Sequence, residues 1–97
     1  MPTYFIFETS TGAGLSTVRD APRRSSGVVA SGKKMGVDIK QWFYVTGPFD
    51  FIMQAEAPDD ETVAAFVMAI NSGGNVTAKF HRAYTPEAWA AMVTRLG

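Results

Sequence analysis

The chain has 97 residues, 46% hydrophobic and 19% charged, with nine basic and nine acidic side chains that cancel to a formal net charge of zero. That length accommodates one domain, 1–97, and the composition excludes a disordered tail. Charge neutrality excludes broad attraction to nucleic acid or to an anionic membrane surface. There is no cysteine to form a disulfide, and one histidine with scattered carboxylates offers no metal cluster.

The opening Met1-Pro2-Thr3 runs straight into strand-like residues, without the basic, apolar and small-residue segments of a signal peptide. No apolar run approaches the ~20 residues of a membrane-spanning helix. A cytoplasmic location is therefore expected, in keeping with the lack of cysteine.

Thr3 to Thr9 is short, aromatic and β-branched, and reads as a strand buried on both faces. Thr11-Gly12-Ala13-Gly14 breaks it. Leu15 and Val18 open a helical stretch interrupted at Pro22, a residue suited to the first turn of a helix. From Ala21 the inward positions at helical spacing are Ala21, Ser25, Val28, Gly32 and Met35, a thin stripe weakened by Ser26-Gly27. Gly36 is the expected stop.

Val37 to Thr46 and Phe49 to Ala57 are strands joined at Gly47-Pro48 as a hairpin. With Thr46 opposite Phe49, Trp42 and Tyr44 share a face with Phe49, Phe51 and Met53. Phe43 and Val45 then share the other face with Asp50, Ile52, Gln54 and Glu56. Pro58-Asp59-Asp60-Glu61 starts a helix whose positive N-terminal end favours the acidic side chains. Val63, Phe66, Val67 and Ile70 make its apolar stripe, and Asn71-Ser72-Gly73-Gly74 ends it with a glycine cap. Val76 to Tyr84 is the last strand. Thr85-Pro86-Glu87 then provides a cap and first turn for a terminal helix striped with Trp89, Met92, Val93 and Leu96.

The order β-α-β-β-α-β predicts an α+β, ferredoxin-like fold: a four-stranded antiparallel sheet with a C-terminal helix. Both core helices of that motif lie on one side of the sheet. The strands nevertheless carry apolar residues on both sides: Tyr4 and Ile6 oppose Phe5 and Phe7, and Trp42 and Tyr44 oppose Phe43, Val45 and Ile52. An apolar face of that size exceeds what monomers usually expose, and burial is worth ~25 cal/mol per Å². A homodimer or higher oligomer, paired through the open face, is the expectation. The alternative is a C-terminal helix folded over that face.

Several short motifs carry a family resemblance. Val45-Thr46-Gly47-Pro48-Phe49-Asp50-Phe51, then Glu56-Ala57-Pro58-Asp59-Asp60-Glu61, resembles the GYD domain family. Met1-Pro2-Thr3-Tyr4, Gly74-Asn75-Val76 and Arg82-Ala83-Tyr84-Thr85 extend the likeness over nearly the whole chain. The resemblance implies a dimeric α/β barrel and supplies no activity. The family's Gly-Tyr-Asp appears here as Gly47-Pro48-Phe49-Asp50, so a catalytic tyrosine at position 49 is excluded. The first helix, with Ser25-Ser26-Gly27, is poorer in alanine, leucine and charge than is usual, and Gln54 stands where the family tends to be apolar. The hairpin also resembles the effector-binding domain of Lrp/AsnC regulators, without any helix-turn-helix.

Candidates for chemistry are few. Arg82 offers a fork for a carboxylate, with Asp50 as a nearby acid, against the plainer readings of an ion pair and a turn cap. Tyr4, Trp42 and Tyr44 are candidates to line an apolar pocket with polar handles, or are simply core and interface. His81 is the one side chain that titrates near neutrality, and with Tyr44 is the candidate for acid–base work. Strand alternation sets His81 opposite Arg82 and beside Lys79, as a solvated residue would be. No P-loop, nucleophile elbow or dinucleotide fingerprint occurs, so no cofactor is implied. The aromatic faces lack the interleaved basic residues of an RNA-binding sheet. The leading reading is a homo-oligomeric binder of a small-molecule metabolite. The alternatives are an isomerase, cyclase or cofactor-free oxygenase of the dimeric barrel type, and a purely structural assembly protein.

Overall fold

The computed structural model describes all residues, 1–97. Its strands are β1 (Thr3–Ser10), β2 (Asp38–Tyr44), β3 (Phe51–Glu56) and β4 (Val76–Ala83), and its helices are α1 (Gly12–Ser16), α2 (Ala21–Lys34), α3 (Asp60–Ser72) and α4 (Pro86–Val93). The strands form one antiparallel sheet in the order β2-β3-β1-β4, which is the ferredoxin-like arrangement expected from the element order. No helix is long and apolar enough to cross a membrane.

Local chemistry accounts for most element ends. Thr11 does more than break β1: its Oγ1 accepts from Gly14 N at 3.2 Å and caps α1, a short helix the sequence reading did not separate. A 3-10 turn, Val18–Asp20, leads into α2, where Pro22 occupies the first turn as expected. Gly36 ends α2 with φ +90, a conformation that glycine adopts without Cβ strain. Asp59 caps α3 through its Oδ1, which accepts from Thr62 N at 2.9 Å, and Gly74 follows the helix with φ +78. Thr85 caps α4 by accepting from Ala88 N at 3.0 Å.

Facing residues obey strand alternation. Tyr4, Ile6 and Glu8 of β1, Ala78 and Phe80 of β4, and Phe51, Met53 and Ala55 of β3 point toward the helices. The core forms there around Tyr4, Ile6, Met53, Val37, Val63 and Phe66. The exposed edge of β4 is covered by Asn71 at the end of α3, whose amide donates to Ala78 O at 3.1 Å and accepts from Ala78 N at 2.6 Å. A side chain there replaces the missing neighbouring strand.

The hairpin register is as read, with Tyr44 opposite Phe51, Phe43 opposite Ile52 and Trp42 opposite Met53. Three details differ. The strands stop at Tyr44 and Phe51, so residues 45–50 form a longer loop, held by Val45 N donating to Asp50 O at 3.0 Å. An irregularity between Ile39 and Gln41 shifts the pairing by one residue at the far end. Phe49, freed from strand alternation, crosses to the other face and lies 4.8 Å from the Phe7 ring. β1 is also less buried than expected: only its helix-facing side is fully covered.

The opposite face of the sheet carries Phe5, Phe7, Phe43, Phe49, Ile52 and His81, and no helix lies over it. Phe43 is 57% exposed. Every residue of α4 is exposed, so the C-terminal helix does not roof this surface.

Candidate functional site

α2 lies over the sheet with small residues along its inner side. Gly32 is buried, and a Cβ there would meet Phe66 Cζ at 3.0 Å, so this end of α2 approaches α3 closely. Along the helix before Gly32, the residues Ser25, Gly27, Val28 and Ser31 are too small to fill the space above β1 and β3. A cavity of about 530 Å³ remains between the sheet, α2 and α3. The thin helical stripe visible in the sequence is therefore the physical origin of a pocket.

The floor of this cavity is chemically unusual. Glu8 projects from the helix-facing side of β1 toward its C-terminal end, where its strand neighbours are Phe51 and Ala78. It is 5% exposed, and its Oε2 has no hydrogen-bond partner. Burial pushes the carboxyl pKa from 4.5 up to about 7, because an apolar surrounding disfavours the charged form. Around it stand apolar walls from Val28, Phe51, Phe66 and Ile70, with Leu15 and Val18, both exposed, at the rim.

Asp50 and Tyr44 also line this cavity. The Asp50 carboxylate does not cap its own turn. Its Oδ2 accepts from Ser10 N at 2.8 Å, and Asp50 N donates to Glu8 O at 2.9 Å, which ties the hairpin loop to the end of β1. The Tyr44 hydroxyl and Ser25 Oγ lie 2.6 Å apart and bridge β2 to α2. Arg24, the sole cationic side chain lining the space, is held by carbonyls and a hydroxyl: Thr17 O at 3.0 Å, Thr17 Oγ1 at 2.9 Å and Gly14 O at 3.4 Å.

The remaining candidates lie elsewhere. Arg82 pairs with Tyr4 near the start of β1, whereas Asp50 bonds Ser10 at its end, a separation of about 20 Å along a strand. The fold therefore does not bring Arg82 and Asp50 together. The Arg82 guanidinium lies over the rings of Tyr84 and Tyr4, at 4.8 and 5.7 Å, and donates to Ala83 O at 2.8 Å. Tyr4 is fully buried in the core and donates to Asp60 Oδ1. Trp42 is partly exposed on the edge strand and does not line the cavity. His81 is exposed on the open face with its ring 5.3 Å from Phe7, opposite in direction to Tyr44. Sequence reasoning passed over Glu8. Its signal was present: Tyr4, Ile6 and Glu8 alternate, so a charged residue falls on the face that the aromatic and aliphatic residues mark as core.

Fold and site together define a small ferredoxin-like α+β domain with an open sheet face and a pocket under its helices. The chain belongs to the GYD domain family, whose model matches residues 4–93. It is 34% identical over 77 residues, 78% of this chain and 81% of the other, to the glutamine synthetase and cystathionine beta-lyase binding protein of Thermus thermophilus. Among solved structures it is similar to the leucine response regulatory protein of Mycobacterium tuberculosis, with TM-score 0.64 and 15% identity, over 87% of this chain and 51% of that one. A solved protein of Thermus thermophilus aligns with TM-score 0.58 and 20% identity, over 88% of this chain and 95% of the other. At such identities the structural likeness speaks for the fold alone.

Proposed function

We propose that this protein is a homo-oligomeric binding domain that takes a small-molecule metabolite into the cavity beneath α2 and α3. The observation that carries this reading is the unpartnered Glu8 carboxyl on the floor of a space of about 530 Å³ whose lining is little more than half hydrophobic residues. A pocket that size, with apolar walls and polar groups converging on it, suits a compact organic ligand. Binding is favoured over catalysis because Tyr44 and His81 lie on opposite faces of the sheet, so the chain assembles no acid–base pair from them. Pairing of two sheets through Phe5, Phe7, Phe43 and Ile52 completes the proposal, since that apolar face has no cover within one chain.

A metabolite-library thermal shift tests the cavity. A true ligand raises the melting temperature of the wild type, and Val28→Phe, which fills the space, removes the rise. Ligands whose effect survives Val28→Phe would place binding elsewhere.

A second reading has its own support. The Thermus relative is named for binding two enzymes, and α4 here presents exposed Trp89, Met92, Val93 and Leu96, the last 84% exposed. In this reading the domain docks on a partner enzyme through α4. Comigration of purified glutamine synthetase with wild-type protein, lost in Trp89→Ser, is the expected result. Unchanged comigration in that variant would remove α4 from the account.

A further inference from the structure

Arg24 is the one side chain lining the cavity that carries a fixed positive charge, and the protein withholds it from Glu8. Its guanidinium is spent on Thr17 O, Thr17 Oγ1 and Gly14 O, all on the α1 side. The Glu8 carboxyl is thus buried without a cation or a hydrogen-bond donor, an arrangement that costs free energy unless something enters to complete it. Asp50 adds a second carboxylate to the lining, engaged on one oxygen by Ser10 N. Val28, Phe51, Phe66 and Ile70 offer apolar contact, and the remaining polar side chains of the lining, Ser10, Ser25, Ser31, Tyr44 and Asn75, are hydroxyls and an amide.

We infer that the cavity selects a cationic amine carried on an apolar body, with the ammonium group on the Glu8 carboxylate and the body against Val28, Phe51, Phe66 and Ile70. This inference rests on the cavity-binding reading and adds the ligand class to it. An ammonium supplies both the charge and the N–H donors that the buried carboxylate lacks. A carboxylate ligand meets like charge from Glu8 and Asp50. A neutral alcohol offers one donor and no charge.

The pairing makes binding depend on pH. Glu8 must be ionised to hold the cation, and burial sets its titration at about 7. Affinity for an amine therefore rises as pH goes from 6 to 8, by about tenfold for one titrating group. The other ionisable groups lining the space are Arg24 from α2, Tyr44 from β2 and Asp50 from the loop before β3; α3 and β4 contribute none. Replacing Glu8 isolates its part from theirs.

Calorimetric titration with 2-phenylethylamine, 2-phenylethanol and phenylacetate varies the head group on one apolar body. Expected at pH 8 is amine binding at least tenfold tighter than alcohol, with phenylacetate weakest. Glu8→Gln should bring the amine to the level of the alcohol and flatten its pH dependence. Glu8→Gln keeps the side-chain shape and removes a buried charge, so it folds; Val28→Phe, which blocks the space without touching Glu8, should abolish binding of all three. If phenylacetate or phenylethanol binds best and Val28→Phe abolishes it, the amine inference falls and the cavity reading stands. Amine binding undiminished in Glu8→Gln likewise overturns the inference alone. If none of the three binds, or all bind equally to Val28→Phe, both fall.

Discussion

Tyr4 and Asp60 are joined by a 2.5 Å hydrogen bond from the phenol to Oδ1, across 56 positions of sequence. It fastens the first strand to the first turn of α3, beneath a ring that is fully buried. Burial, then the Asp60 hydrogen bond and its charge, push the phenol pKa up to about 12. Because the folded value lies above the ordinary 10.0, the stabilisation is complete below pH 10 and is lost as pH rises through about 12. Tyr4→Phe should cost about 1.5–3 kcal/mol at pH 7, the range for a hydrogen bond to a charged group, and should remove the alkaline loss. Urea unfolding at pH 7 and at pH 11 measures both effects.

Glu8 acts on stability in the same direction, through burial alone and with no hydrogen bond to offset it. Its folded pKa of about 7 exceeds the ordinary 4.5, so the unfolded chain loses its proton first as pH rises. Stability therefore falls between about pH 4.5 and 7 and levels above that. Glu8→Gln should abolish this slope and raise stability at pH 8 by up to about 3 kcal/mol. Melting temperatures of both proteins from pH 4 to 8 would expose a flat wild-type profile, the outcome inconsistent with a neutral buried acid.

Gly14 is required by crowding. A Cβ at this position would lie 2.0 Å from the Asn75 carbonyl oxygen, a backbone atom that cannot swing away. Gly12, two residues earlier in the same short helix, has nothing within 4 Å of its would-be Cβ. Gly14→Ala should destabilise by about 3 kcal/mol, the upper end of overpacking costs, while Gly12→Ala changes stability by no more than about 1 kcal/mol. Paired denaturation curves decide it; equal effects at the two sites would contradict the close contact of α1 with the loop before β4.

The open face bears on assembly. Phe43 and Ile52 are cross-strand partners at its centre, and Phe43 is largely solvent-exposed in one chain. Wild-type protein is expected to sediment as a dimer or larger species at micromolar concentration. Phe43→Lys with Ile52→Lys should yield a folded monomer, since two buried charges without partners cost several kcal/mol at an interface. A wild type that already sediments as a stable monomer would remove the sheet-pairing proposal.

The order of the four strands and of α2, α3 and α4, the hairpin register and the boundaries of those three helices were legible in the linear sequence; α1 and its Thr11 cap were not. Period-2 and period-3.6 patterns and residues such as Pro22, Gly36, Asp59 and Thr85 act through neighbours within a few positions. Alternation also fixed which side chains of β1 oppose one another, and through that the two-sided apolar sheet. Tertiary structure decided the rest, because it depends on distances between segments far apart in the chain. The loop geometry sent Phe49 across to Phe7, and carried the Asp50 carboxylate to Ser10 rather than to its own turn. The separation of Arg82 from Asp50 follows from antiparallel pairing along β1, which no local pattern records. Above all, the pocket exists because small residues of α2 stand over Glu8 and leave unfilled volume there. Residue types reveal which side chains are small, but only packing reveals what space lies beneath them.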